Sequence, residues 1–369
     1  ADSIASAAEP RRSSPAPSAD PRATAQPLPA PWQEWLAQSL MRGADAAELA
    51  TALGAHGQDQ GAALALCADL QRSPALAAGR ALHQQLRKRD WLLSCYQRLE
   101  RASAAGDHIP RRHRLSADEF FARYYTAHRP VILTGLFDPT EDAEVRDLVR
   151  ALQPDALRQR FGAVSVEIQS GRDRDPRYEE RAPHLKTRAR FADFIDQVEH
   201  GPPGNDVYMT AQNGPQNAAA LQPLLQAPAT LDGYLDRGAL AERTFLWYGP
   251  AGTVTPLHHD RTNNLIAQVR GRKRVRVASS YQLPFIYNQD PRGVFSPLDL
   301  DRLDDPESRQ RFPLARRLHV RSCVLAPGEL LFLPVGAWHD VRALDTSVSL
   351  TYTAFRLDNR YSDDPGARA

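Results

Sequence analysis

The sequence predicts a mainly β protein with α additions: a β-sandwich or barrel preceded by a small helical module. Three observations carry that prediction. From Thr244 onward, short β-type runs alternate with turns, at Phe245 to Tyr248, Thr253 to Leu257, Leu265 to Val269, Lys273 to Val277, Val320 to Leu325, Leu330 to Leu333 and Val348 to Phe355. Many short strands at such spacing belong to sandwiches and barrels. Residues 31–109 instead carry their apolar side chains at helical spacing. The first 30 residues are rich in Ala, Pro and Ser and nearly devoid of large apolar side chains. Such a segment cannot offset its ordering entropy by burial, so a disordered tail is expected there.

The chain thus divides into a tail (1–30), a helical module (31–109), a β domain (110–358) and a C-terminal tail (359–369). In the helical module, Trp32, Trp35, Leu36 and Leu40, then Leu49 and Leu53, then Leu64 and Leu66 predict short helices punctuated by Gly43, Gly54, Gly57 and Gly61. Ser73-Pro74 has the form of an N-cap with proline at the first helical position, opening a longer helix with Leu82, Leu86, Leu93, Tyr96 and Leu99. Residues 101–115 are polar and basic. Ser116 and Glu119 form a capping-box pattern for a short helix with Phe120, Phe121 and Tyr124 that ends near His128. Val131 to Leu136 is an apolar run bounded by Pro and Gly, expected as a buried strand. Val164 to Ile168 and Val207 to Met209 predict strands, and Phe191 to Val198 a helix. Residues 284–319 break the rhythm with prolines and charges and are expected as a long insertion, of the kind that covers a barrel mouth.

Composition sets limits. Lys plus Arg (46) nearly balances Asp plus Glu (44) in 369 residues, a formal charge of +2 that gives no general attraction to nucleic acid or to an acidic membrane. The clusters Arg87-Lys88-Arg89 and Arg111-Arg112-His113-Arg114 lack interleaved aromatics and read as solvated faces rather than an RNA surface. Cys67, Cys95 and Cys323 share no metal-ligand spacing and suggest neither a disulfide framework nor a zinc cluster. No long apolar stretch and no secretory pattern is visible, so the sequence-based expectation is a soluble, cytoplasmic protein without a membrane partner.

The chemistry concentrates in Thr255-Pro256-Leu257-His258-His259-Asp260. His258 and Asp260 lie two apart, so on a strand or strand end they leave the same face, and His259 points the other way. His339 follows the turn and strand Pro327 to Pro334, which could bring it to the same cavity. Two imidazoles and one carboxylate on one face of an ion leave positions open for a chelating co-substrate and O2, the arrangement of non-haem Fe(II) oxygenases. Lys273 stands in a strand downstream. His184 and His319 have no partner pattern and read as surface or satisfied histidines.

The segments Thr255 to Lys273 and Pro327 to His339 resemble the metal-binding strands of the cupin-like JmjC family, and within it the pattern is nearest to the asparaginyl hydroxylase branch that inhibits hypoxia-inducible factor. The similarity covers roughly residues 110–358. It implies a double-stranded β-helix (cupin or jelly-roll barrel), Fe(II) held by His258, Asp260 and His339, and 2-oxoglutarate and O2 as co-substrates. By the same resemblance, Lys273 binds the distal carboxylate of 2-oxoglutarate, with Thr255 and Tyr208 as hydroxyl partners and Asn264 near the iron-bound end. A dianionic co-substrate also needs a cation at its far end on physical grounds. The sequence departs from the pattern at Thr353, where the nearest relatives carry asparagine. Trp338 is expected beside the metal or closing the barrel core.

The resemblance implies hydroxylation of an amino-acid side chain in a protein or peptide. Lysine demethylation, RNA or ribosomal oxygenation, and a non-catalytic metal-binding cupin are the alternatives. The apolar faces of the helical module are expected to pack on the barrel or form a homodimer rather than to recognise a partner.

Overall fold

The computed structural model describes residues 27–103, 107–288, 290 and 293–357. The two expected tails, apart from residues 27–30, lie outside the described residues. The chain separates into two compact units, one of Ala1–Tyr96 with Arg309–Pro313 and one of Gln97–Ser308 with Leu314–Ala369.

The first unit is helical. Helices Ala30–Met41, Ala46–Ala55 and Gln60–Arg72 pack a core of Leu28, Trp32, Leu36, Leu40, Leu49 and Leu53. Asp45 and Asp59 cap the second and third helices by accepting backbone N–H bonds, which stops each at its start. Gly54 and Gly61 fall inside helices, so of the glycines expected as punctuation only Gly43 and Gly57, both at positive φ, stand between them. Ser73 caps the long helix Pro74–Ala102 as expected, its hydroxyl oxygen accepting the Ala75 N–H. Leu82 and Leu86 are exposed, because the core of this unit takes only Leu76 from that helix.

The second unit is built on strands β1 (Arg111–His113), β2 (Val131–Thr134), β3 (Ser165–Ser170), β4 (Lys186–Arg190), β5 (Val207–Tyr208), β6 (Thr244–Gly249), β7 (Val254–His259), β8 (Asn264–Arg270), β9 (Lys273–Ala278), β10 (Arg321–Leu325), β11 (Leu330–Leu333), β12 (Trp338–Ala343) and β13 (Ser347–Tyr352). They form a sheet in the order β1-β2-β11-β8-β13-β6, a second in the order β10-β9-β12-β7, and a third, β4-β3-β5. Apart from the parallel β1–β2 pair the ladders are antiparallel. The third sheet connects to the first through a backbone bridge between Met209 and Tyr248.

One face of the six-stranded sheet is held by an aromatic cluster. Phe332 on β11 packs edge-on against Phe120 and Phe355, with Tyr125 stacked at 5.8 Å. Removing such a buried ring costs about 3–5 kcal/mol. Phe120 comes from the short helix expected after Ser116, and Ser116 does accept the Glu119 N–H, but Glu119 turns its carboxylate to Arg123, so only half of the capping box forms.

Strands β1, β4 and β12 and helices Ala143–Ala151, Pro154–Phe161 and Gly214–Leu221 have no counterpart in the sequence expectations. Strand β1 is entirely exposed and basic, and β4 reads Lys-Thr-Arg-Ala-Arg, so neither carries the alternation that marks a half-buried strand. Hydrogen bonding to a neighbour, not burial, makes them strands.

Candidate active site

Strands β7 and β12 lie antiparallel, with His258 directly opposite His339 and ring centroids 4.2 Å apart. The register shifts between these residues and the Thr255–Val341 pair, where two residues of β7, Pro256 and Leu257, face one of β12. This bulge matters to the site. Strict alternation puts Thr255 and His258 on opposite faces, and the extra residue turns both into one cavity. Proline suits a bulge on an edge strand, where no ladder donor is needed.

Asp260 stands just past the end of β7. Its Oδ1 lies 3.8 Å from His258 Nε2 and its Oδ2 3.7 Å from His339 Nε2, and among the described residues these three alone form a cluster able to hold an ion. The Nδ1 atoms lie 2.8 Å from the Pro256 carbonyl and 2.9 Å from the Ala337 carbonyl. A carbonyl can only accept, so Nδ1 carries the proton in each ring and Nε2 presents a lone pair to the shared point. Burial, with His339 beside it, lowers the pKa of His258 and keeps it a neutral donor. Burial on its own raises the Asp260 pKa, and the carboxyl is held below its usual range by the charge that His339 and His258 carry when protonated and by the Asn264 amide. Asn264 donates to Asp260 Oδ2 at 3.0 Å, and its own buried Oδ1 has no hydrogen-bond partner among the described residues. Two neutral nitrogens and an anionic oxygen, fixed from behind and converging on one point, fit a divalent iron ion.

The triad opens on a cavity of about 270 Å³ that is also lined by Lys273, Tyr208, Thr255, Asn264 and Thr353. Lys273 begins β9 and is 3% exposed. Its Nζ lies 3.4 Å from the Tyr208 hydroxyl and 5.9 Å from the ring centroids of Tyr208 and Trp247, and it makes no ion pair among the described residues. Burial pushes its ammonium down to about 7. A cation left without a carboxylate in an enclosed space is costly unless an anion arrives to share it.

Thr353 lines the same cavity while donating to the Arg243 carbonyl, so the residue in the asparagine position is anchored to backbone. His259 points away from the cavity as expected, onto the edge of Trp338. The same alternation corrects one of the two expectations for Trp338, that it stands beside the metal: adjacent to His339 on β12, it faces the opposite side of the sheet and is buried against His259, away from the triad. His319 bonds Asp107 and His184 is exposed, so both read as satisfied or surface histidines. The 284–319 insertion reaches the site through Val294 and Phe295, which line the cavity, and pairs with β7 through the His259 N–H to the Val294 carbonyl.

Sequence reasoning missed Trp247, Ser349, Thr351, Thr210, Gln212 and Glu179 in the lining. Alternation along β6 and β13, once anchored on one inward residue, could have found the first three. Thr210, Gln212 and Glu179 lie in irregular segments with no period to read.

An antiparallel β fold that holds a two-histidine, one-carboxylate centre is the architecture of cupin-type metal proteins, and here a buried lysine shares the cavity. The model of the cupin-like domain matches residues 117–353, and the chain belongs to that family, in its JmjC branch. Lysine-specific demethylase 8 of Xenopus tropicalis is 28% identical over 253 residues, 66% of this chain and 52% of that protein. The Danio rerio protein of the same name is 29% identical over 66% of this chain and 57% of its own length. Lysine-specific demethylase JMJ30 of Arabidopsis thaliana is 42% identical over 108 residues, 29% of this chain and 24% of its own. The chain thus spans about half the length of the first relative and less of the Arabidopsis protein. JmjC enzymes use Fe(II), 2-oxoglutarate and O2, and the donor set here fits that cofactor set. No helix of the described residues is long and apolar enough to cross a membrane.

Proposed function

We propose that this chain is an Fe(II)- and 2-oxoglutarate-dependent oxygenase that hydroxylates an amino-acid side chain in a protein or peptide. The observation that carries the reading is the presence in one cavity of the His258, Asp260, His339 cluster and of Lys273, a buried cation that pairs with no carboxylate among the described residues. His258, Asp260 and His339 hold the iron. Lys273 and the hydroxyls of Tyr208 and Thr255 receive the distal carboxylate of 2-oxoglutarate, and the Asn264 amide lies at the iron end, where it already donates to Asp260. Fe(II) and 2-oxoglutarate bound there would supply oxygen insertion, one atom of O2 going to a substrate C–H bond and the other into succinate as CO2 is lost.

The chain's own part is to bind, orient and exclude water. Apolar side chains of Ile266, Val275 and Leu325 line the cavity, and Phe295 lies 5.7 Å from the His258 ring, so charges inside act through little solvent. The protonated Nδ1 atoms keep both imidazoles in fixed orientation.

Demethylation is the second reading, favoured by the demethylase names of the relatives. Both readings share oxygen insertion into a C–H bond and differ in whether that carbon is attached to nitrogen as a methyl group. The test is to incubate iron-loaded protein with 2-oxoglutarate and matched peptides carrying unmodified or N-methylated lysine, following succinate and peptide mass. Gain of one oxygen on an unmodified peptide supports hydroxylation, and loss of a methyl group with formaldehyde release supports demethylation. Succinate formation that neither peptide library nor intact protein substrates stimulate would count against a protein side chain as substrate.

A further inference from the structure

The functional reading uses Lys273, Tyr208 and Thr255 but leaves Arg172 without a task, although this arginine is wholly buried. An arginine stays charged, so its burial demands partners. Gly171, at φ 82, ends β3 and turns the chain so that Arg172 projects into the interior. A side chain at Gly171 would be strained in that conformation.

The partners of Arg172 come from segments that frame the cavity. Nε donates to the Asn205 carbonyl at 3.1 Å, Nη1 to the Gln169 side chain, and Nη2 to the Val254 carbonyl at 2.7 Å. Glu179 Oε1 lies 2.8 Å from Nη1, a contact close enough for an ion pair though not aligned as a hydrogen bond. The guanidinium carbon sits 4.4 Å from the Tyr178 ring centroid and 5.3 Å from that of Tyr208. Val254 is the first residue of β7, directly before Thr255, and its carbonyl also accepts from the Tyr178 hydroxyl while its N–H bonds Asn205.

We infer that Arg172 is a positioning residue that holds Tyr208 and Thr255 in register with each other, and so sets the affinity for 2-oxoglutarate. The inference rests on the reading in which these two hydroxyls hold the co-substrate. Tyr208 belongs to the three-stranded sheet and Thr255 to the metal strand, and Arg172 touches the ring of the one and the backbone before the other. The planar guanidinium spreads its donors over three atoms, bonding Asn205, Gln169 and Val254 while it lies over the Tyr178 ring, and a compact ammonium with its donors on one atom cannot span these partners and stack as well. Of the groups Arg172 bonds, none belongs to the triad, whose His258 and Asp260 follow the bulge and whose His339 stands on β12, so iron binding is expected to be spared.

The experiment is anaerobic calorimetric titration of 2-oxoglutarate into the Fe(II)-loaded full chain, for the unsubstituted protein, Arg172→Met, Arg172→Lys and Glu199→Gln. Glu199→Gln disturbs another network, that of Arg270 and Tyr248, and serves as a control for general destabilisation. The expected result is 2-oxoglutarate affinity weakened roughly tenfold or more in Arg172→Met and less in Arg172→Lys, with Fe(II) affinity retained and Glu199→Gln unchanged. Should Arg172→Met not fold, Arg172→Lys alone decides, since it keeps the charge beside Glu179 and loses the fork. Unchanged 2-oxoglutarate affinity in the folded variants, or a loss matched by Glu199→Gln, would overturn the inference. Absence of 2-oxoglutarate binding by the unsubstituted chain would instead remove the functional reading on which it stands.

Discussion

The two faces of the four-stranded sheet are made by the same strands and treat charge in opposite ways. On the outer face, Arg276 pairs with Asp340 and Asp301, and Arg274 and Arg342 also reach Asp301. On the inner face, alternate residues of those strands are Lys273, His339 and Val341, and there the cation stands apart from the carboxylate of Asp260. Outer charges neutralise one another and fasten the 284–319 insertion through Asp301. Inner charges are kept unneutralised at a desolvation cost that folding alone does not require. A face that settles its own charges is structure, and a face that keeps opposite charges separate is prepared for ligands that carry the complements.

The comparison breaks most sharply at the triad. Replacement of His339 by Ala is expected to abolish stable Fe(II) binding, measured by metal content after dialysis, with the fold retained because a buried ring of modest size is lost from a cavity wall. Next in size is Lys273→Ala, which removes one charge-assisted contact of about 1.5–3 kcal/mol and is expected to weaken 2-oxoglutarate roughly 10–100-fold without changing iron affinity. Lys273→Met keeps the buried stem and ends only the penalty on the charge, so this variant without metal is expected to melt no lower than the parent at pH 6, by calorimetry. A melting point that falls would mean the inner charge is structural after all.

The pH dependence sharpens the same point. Burial lowers the Lys273 ammonium to about 7 from its ordinary 10.5. Between those values the unfolded chain binds more protons at this residue than the folded chain, so its contribution makes the ligand-free protein more stable as pH rises from 7 to 10.5. Affinity for the dianion runs the other way and falls as pH rises through 7, because the protonated form is the one that binds. Thermal unfolding and 2-oxoglutarate titration across that window are expected to move in opposite directions, and Lys273→Met is expected to flatten the Lys273 contribution to both. The smallest effect belongs to the outer face. Asp301→Asn is expected to cost about 1 kcal/mol of stability and to leave iron and 2-oxoglutarate affinities unchanged.

Much of this contrast was legible in the sequence, for reasons that can be named. Strands β6, β8, β9, β11 and β13 carry dense apolar or alternating runs, so their existence followed from periodicity. His258, Asp260 and His339 were legible because three metal-ligating residues at suggestive spacing stand beside such runs. Strand β12 was not, since Trp-His-Asp-Val-Arg-Ala mixes ligand, ion pair and core residues. Sequence alone left Trp338 either beside the metal or closing the core, and strand alternation with His339 decides for a buried place against His259 on the other face. The bulge at Pro256–Leu257 lies beyond period counting, so the shared orientation of Thr255 and His258 needed a family resemblance or coordinates. Arg172 and Glu179 were invisible for a further reason: nothing in Gly-Arg-Asp-Arg-Asp-Pro-Arg-Tyr-Glu marks which of several charges is buried.

The most direct test of the central reading is an anaerobic titration of the metal-free chain, first with Fe(II) and then with 2-oxoglutarate, following the weak visible charge-transfer band of the chelate. A band that requires both additions, is lost in His258→Ala and needs far more 2-oxoglutarate in Lys273→Ala is the predicted result. Iron binding with a spectrum indifferent to 2-oxoglutarate would contradict the co-substrate assignment, and no iron binding at all would contradict the metal centre itself.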